Sequence, residues 1–331
     1  MIAAMTITDR VLDGPHGNLP VRLYGPETED PPVAGLVWAH GGGFMHGDLD
    51  MAEADHVART LAQRGIVVVS VDYRLCPEID WSDPEASIAA GGVRFPVAHD
   101  ELVFVFRWSV AAGLGAPAGT WSLGGASAGG NLAAGASLRL RDDAVREHPE
   151  AYGRTAVTPS GTPVADAPTS GTVQVTPRSV LLAYPVAHER LPEPTAELAA
   201  KIAGLPADRN FPPEVVRVMN ANYLGHREGS HSPYAFPGGS DLSGLPPTLV
   251  VNSDHDALRS SGEAYAAELA AAGTDVLVAR EDGTLHGHLN DPEHPGCARS
   301  LDRMTTWLTS PLVGTTHEPL LAVLDEPLRS N

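Results

Sequence analysis

Ser127 stands in the run Gly124-Gly125-Ala126-Ser127-Ala128-Gly129-Gly130, between a strand-like stretch ending at Leu123 and an alanine-rich helix candidate from Asn131 to Leu138. A serine on so sharp a strand-to-helix turn needs small neighbours, and its hydroxyl projects outward. The amide of Ala128 opens the helix and points to where negative charge would develop on an attacked carbonyl. The same run also fits a glycine-rich turn that merely contains a serine. A hydroxyl becomes a nucleophile when a histidine takes its proton and an acid orients that histidine. Two later loops, each beyond a strand end, offer those groups in the order acid then histidine. One is Ser253-Asp254-His255-Asp256; the other is Thr284-Leu285-His286-Gly287-His288. Spacing leaves Asp254 and Asp256 open as the acid, and His286 and His288 open as the base.

Two other chemistries are weaker. His286, His288, Asp291 and His294 cluster, but no cysteine or acidic set completes them at a familiar zinc spacing. The glycine runs lack the Lys-Ser/Thr of a phosphate loop and an acidic residue at the distance expected of a dinucleotide site. No metal and no organic cofactor is expected.

The elements that would carry these residues alternate. Met5 to Leu12 and Leu19 to Tyr24 read as strands joined by a turn at Asp13 to Asn18. Gly35 to Ala39 is a short strand ending at His40-Gly41-Gly42-Gly43. Ala52 to Gln63 reads as a helix, with Val57 and Leu61 on one face and Gly65 as its stop. Ile66 to Val71 is continuous and β-branched, as a strand buried on both faces should be. A helix over Pro96 to Ala112 leads to the strand before Ser127. Further strands are Ser179 to Tyr184, Pro247 to Asn252 and Asp275 to Arg280, with helices at Ser260 to Ala272 and about Gly296 to Leu308. Repeated strand-helix units predict an α/β fold with a mostly parallel sheet and helices on both faces. Residues 185–240 are proline-broken, with helical pieces at Thr195 to Ala203 and Pro213 to Tyr223, and read as a cap or lid excursion from a core made of 1–184 and 241–331. Glu147 to Pro177, rich in Pro, Thr, Ser, Ala and Gly, reads as a surface insertion.

Composition narrows the partners. Among 331 residues, 43% are hydrophobic, enough for a large core, yet no run approaches the roughly 20 apolar residues of a membrane span. No basic start, apolar run and small-residue cleavage site follow one another at the N-terminus, so a cytoplasmic location is expected. The net charge of −19 argues against nucleic acid or an anionic membrane as partner. Cys76 and Cys297 read as two buried free thiols.

The ordered motifs resemble the hormone-sensitive-lipase-like carboxylesterases (bacterial family IV) of the α/β-hydrolase fold. His40-Gly41-Gly42-Gly43 resembles their oxyanion-hole motif and Gly125-Ala126-Ser127-Ala128-Gly129 their nucleophile elbow. Asp72-Tyr73-Arg74-Leu75-Cys76-Pro77-Glu78, Ser232-Pro233-Tyr234, Leu242 to Pro247, Asp256-Ala257-Leu258-Arg259 and His286-Gly287 resemble further family stretches. The similarity spans roughly residues 20 to 308. It implies Ser127 as nucleophile, Asp256 rather than Asp254 as acid, and His286 rather than His288 as base. It implies oxyanion donors at Gly41, Gly42 and Ala128, a loop-holding role for His40, and structural roles for Asp72, Tyr73, Arg74 and Glu78.

In many relatives the oxyanion motif lies further into the chain, behind helices of a cap. Here His40 stands near the start of the sequence, so that N-terminal cap is not expected, and Ile79 to Arg94 reads as extra sequence. Lid material is therefore expected from 185–240 and from the insertions 79–94 and 147–177. Phe44, Met45, Trp81, Met219, Tyr223 and His288 are the candidates to line the substrate pocket; ordinary packing is the competing reading for each. The resemblance implies hydrolysis of small esters with short to medium acyl chains. The alternatives are an amidase or deacetylase of a specific metabolite using the same triad, or a small-molecule receptor. Dimerisation through the last strand is a further possibility it raises.

Overall fold

The computed structural model describes residues 4–27, 30–147, 176–206, 210–226, 232–311 and 313. β1 (Ala4–Gly14) and β2 (Gly17–Glu27) form an antiparallel hairpin that turns at Pro15-His16. After it the chain alternates: β3 (Ala34–Ala39), α1 (Ala52–Ala62), β4 (Ile66–Val71), α2 (Pro84–Ala89), α3 (Val97–Ala112), β5 (Trp121–Ala126) and α4 (Ala128–Glu147). It continues through β6 (Val180–Ala183), α5 (Ala196–Ile202), α6 (Pro213–Leu224), β7 (Thr248–His255), α7 (Arg259–Ala271), β8 (Val276–Leu285) and α8 (Pro295–Thr309). Eight strands make one sheet in the order β1-β2-β4-β3-β5-β6-β7-β8. β1 and β2 run antiparallel; β3 to β8 pair in parallel. This is an α/β-hydrolase fold.

The central strands lack polar alternation because helices cover both faces. In β3, Val37 and Ala39 pack into the core on the side of α3, α4 and α7, while Leu36 and Trp38 pack into the core beneath α1 and α8. Val67 and Val69 of β4 share the first face, Ile66 and Val68 the second. Helix α1 applies Val57, Ala58 and Leu61 to that second core, as the four-residue spacing requires. Helix α8 begins with proline at its first turn, and His294 Nδ1 accepts the Gly296 amide at 3.0 Å.

The extra sequence from Ile79 to Arg94 contains α2, a helix too short for periodicity to reveal. Its N-cap is Asp83, whose Oδ1 accepts the Ala86 amide at 3.1 Å. Of the expected insertion 147–177, Glu147 ends α4 and Thr176-Pro177 precede β6, while 148–175 lie outside the described residues. The chain leaves the sheet after β6, forms α5 and α6, and returns at β7. Among the described residues no helix is long and apolar enough to cross a membrane.

Candidate active site

Ser127 follows β5 directly and has φ +52°, a left-handed conformation that a non-glycine residue adopts only when its surroundings hold it there. Its amide donates to the Ala183 carbonyl at 2.9 Å and its carbonyl accepts the Asn131 amide at 3.0 Å. A Cβ on Gly129 would collide with the carbonyl oxygens of Ala39 and His40, so this turn can sit against the end of β3 only with glycine there.

Asp256 lies just past β7 and His286 just past β8, so three strand ends deliver three side chains to one point. His286 Nδ1 lies 2.7 Å from Asp256 Oδ2, and His286 Nε2 lies 3.0 Å from Ser127 Oγ. A carboxylate can only accept, so Nδ1 carries the proton and Nε2 is left to accept the Ser127 hydroxyl. Asp256 Oδ1 accepts the Leu258 amide at 2.9 Å, which fixes the carboxylate. Burial disfavours a charged His286 ring. The charge and hydrogen bond of Asp256, with a further pull from Glu53, outweigh this and raise its proton affinity above the ordinary histidine value.

The competing acid and base of the sequence reading are engaged elsewhere. Asp254 Oδ2 accepts the Gly283 amide at 3.1 Å, and Oδ1 faces Lys201 and Arg259. His288 is buried between Ser253 Oγ, 2.8 Å from Nδ1, and Ser300 Oγ, 2.7 Å from Nε2. Burial, with the neighbouring cations, pushes its pKa down to about 3. Among the described residues no three His, Cys, Asp or Glu side chains are gathered as a metal site.

A cavity of about 390 Å³ opens over Ser127 and His286. Phe44 and Met219 line it, together with Gly42, Gly43 and Ala128. Four residues expected in the pocket lie outside its walls. Met45 is packed in the core. Tyr223 stacks behind Phe44, ring centroids 4.0 Å apart. Trp81 stands on the surface with 52% of its area exposed. His288 is held below by its two serines. Long apolar side chains near a site favour the wall and the packing behind it equally, and sequence cannot separate the two.

The glycine loop also differs from expectation. The Gly41 amide donates to Glu53 Oε1 at 2.7 Å, so it is already committed and cannot serve an oxyanion. Gly42 and Gly43, which line the cavity, have amides without a protein acceptor among the described residues. Gly42 has φ +113° and Gly43 φ +61°, and a Cβ on either would strike His46 or Met219. His40 Nδ1 donates to the Gly41 carbonyl at 2.7 Å, and the ring stacks on Tyr73, whose hydroxyl donates to the His40 carbonyl at 2.8 Å. Burial keeps His40 below the ordinary histidine value.

Sequence reasoning passed over Glu53, which reads as one acidic residue at the start of a helix. It is buried, borders the cavity, and its Oε2 accepts the Tyr184 hydroxyl at 2.8 Å. The Tyr184 ring, held at φ +36° at the end of β6, meets the His286 ring edge-on with centroids 5.0 Å apart. The excursion between β6 and β7 contributes Val186, Phe211, Val216, Met219 and Asn220. The last three are spaced i, i+3, i+4 on α6, a signal that could have found them.

A family model described as the alpha/beta hydrolase fold matches residues 36–290. Carboxylesterase NlhH of Mycobacterium tuberculosis is 31% identical over 284 residues, covering 82% of this chain and 72% of that protein. An ethyl acetate hydrolase of Pseudomonas putida is 30% identical over 305 residues, covering 86% and 74%. Among solved structures, an esterase of Pyrobaculum calidifontis superposes with a TM-score of 0.70 at 28% identity, covering 94% of this chain and 88% of its own. A thermostable carboxylesterase cloned from a metagenomic library gives a TM-score of 0.72 at 26% identity, covering 96% and 92%. Taken with the motifs from His40 to His286, these likenesses make the chain a member of the hormone-sensitive-lipase-like carboxylesterases of the α/β-hydrolase family.

Proposed function

We propose that the protein hydrolyses small carboxylic esters through a Ser127-His286-Asp256 triad and an acyl-enzyme. The observation that carries this is the unbroken chain Ser127 Oγ, His286 Nε2, His286 Nδ1, Asp256 Oδ2 at the floor of the cavity. As Ser127 Oγ attacks the ester carbonyl carbon, its proton passes to His286 Nε2, and the carbonyl π-electrons move to oxygen. The oxyanion lies against the amides of Gly42, Gly43 and Ala128. Asp256 stabilises the imidazolium. Its proton then goes to the alkoxide leaving group as the carbon–oxygen bond breaks. A water molecule, deprotonated by His286, repeats the attack on the acyl-Ser127 ester and releases the acid. No step needs a metal or organic cofactor.

The mainly apolar walls and the limited volume favour acyl groups of short to medium length. The name ethyl acetate hydrolase, borne by one relative, points the same way. The test is hydrolysis of p-nitrophenyl esters from acetate to decanoate, beside Ser127→Ala. Serine-dependent turnover that falls at longer chains is expected. Turnover surviving in Ser127→Ala overturns the nucleophile; activity on amides alone moves the reading to an amidase.

A further inference from the structure

Asn220 is the one side-chain amide of α6 in the cavity wall, beside its apolar neighbours Val216 and Met219. It is 1% exposed. Its Nδ2 is turned away from the cavity, donating to the Glu189 carbonyl at 2.8 Å and reaching the His188 carbonyl at 3.4 Å. Two carbonyls on that side fix the amide orientation, because a flipped Oδ1 would face two acceptors. Oδ1 accepts nothing from the described residues. The part of the wall built by the excursion therefore presents one fixed side-chain acceptor among the apolar residues Val186, Phe211, Val216 and Met219.

Resting on the ester-hydrolase reading, we infer that Asn220 is a specificity-determining residue that selects esters carrying a hydrogen-bond donor, a hydroxyl or an amide N–H, in the part of the substrate lying under α6. In the free enzyme, water reaches Oδ1 through the cavity. A plain alkyl chain displaces that water and leaves Oδ1 unpaired in apolar surroundings; a hydroxylated chain replaces the lost bond. A site built around a buried polar atom discriminates against the analogue that cannot satisfy it far more sharply than an apolar wall discriminates between chain lengths.

The experiment compares kcat/KM within two matched pairs. Ethyl 3-hydroxybutyrate against ethyl butyrate places the donor on the acyl side; 3-hydroxybutyl acetate against butyl acetate places it on the alcohol side. Wild type should favour the hydroxylated member of one pair by about tenfold, the size of one buried hydrogen bond. In Asn220→Leu that ratio should fall to one or below, while p-nitrophenyl acetate is still turned over. Equal handling of both members of both pairs by wild type overturns the inference, and needs no variant to fold. So does a preference that survives in Asn220→Leu. If wild type turns over no ester at all, p-nitrophenyl acetate included, the ester-hydrolase reading has failed and Asn220 falls with it.

Discussion

Glu53 Oε1 accepts the backbone N–H of Gly41 at 2.7 Å, so the first glycine of the His-Gly-Gly-Gly loop is a structural anchor and the next two are left to line the cavity. The same carboxylate accepts the Tyr184 hydroxyl, and Tyr184 packs against His286. One buried acid thus touches both halves of the proposed site, the glycine loop directly and the His286 ring through Tyr184.

Glu53→Gln keeps the shape but offers one acceptor oxygen to two donors, so the loop loosens. A fall of about tenfold in kcat/KM is expected, below the 10²–10³ of losing an oxyanion donor outright. The groups facing His286 are Asp256, Glu53, Tyr184 and His288, with apolar Phe211 from the excursion. Removing the Glu53 charge lowers the proton affinity of His286, so the acidic limb of the kcat/KM profile should move to lower pH. An unmoved limb with a slower enzyme would mean that Glu53 acts on the loop alone.

As the proposed base, His286 must be neutral to accept the Ser127 proton. His286 is held above the ordinary histidine value of 6.5, so kcat/KM should rise with pH through an inflection above that value. Asp256→Asn removes the main cause of the elevation and lets Nδ1 lose its proton to the other tautomer. The inflection should drop and kcat should fall by about 10³–10⁴. An Asp256→Asn enzyme of near-normal rate would displace Asp256 from the triad.

The strand-helix alternation and the order of the motifs were legible because each rests on local chemistry. β-Branched runs mark buried strands such as Ile66–Val71, and glycines mark turns such as Gly125 to Gly129. Which glycine amides of the loop are left without a protein acceptor was not legible. It depends on Glu53, twelve residues on, folding back over Gly41 when α1 packs beside β3. Pocket membership was legible for Phe44 and Met219 but not for the other four, for the same reason. Phe44 and Tyr223 are both large and aromatic, yet they stack and only the nearer one meets the cavity.

His288 supplies a stability prediction. Its folded pKa of about 3 lies below the ordinary 6.5, so between those values the unfolded chain takes up a proton that the folded protein refuses. Stability from this residue is complete above 6.5 and erodes as the pH falls, by at most about 1.4 kcal/mol per unit. His288→Phe removes that uptake. Urea unfolding at pH 7 and pH 5 should show the variant losing less stability between the two than wild type. Equal losses would mean that His288 becomes protonated in the folded state. Turnover should be little changed, since the ring lies outside the cavity.

Phe211 meets the His286 ring edge-on with centroids 4.7 Å apart and closes the cavity from the excursion side. Phe211→Ala removes apolar wall from the place where a short acyl or alcohol group would rest. Losing contact with about two methylene groups of substrate lowers kcat/KM on the best short ester by about tenfold. The space released should move the optimum of the p-nitrophenyl series toward longer chains. The variant also lets water reach His286, which lessens the burial that opposes its protonation, so the acidic limb should shift upward rather than down. An unchanged chain-length profile would place the acyl group elsewhere in the cavity, away from Phe211.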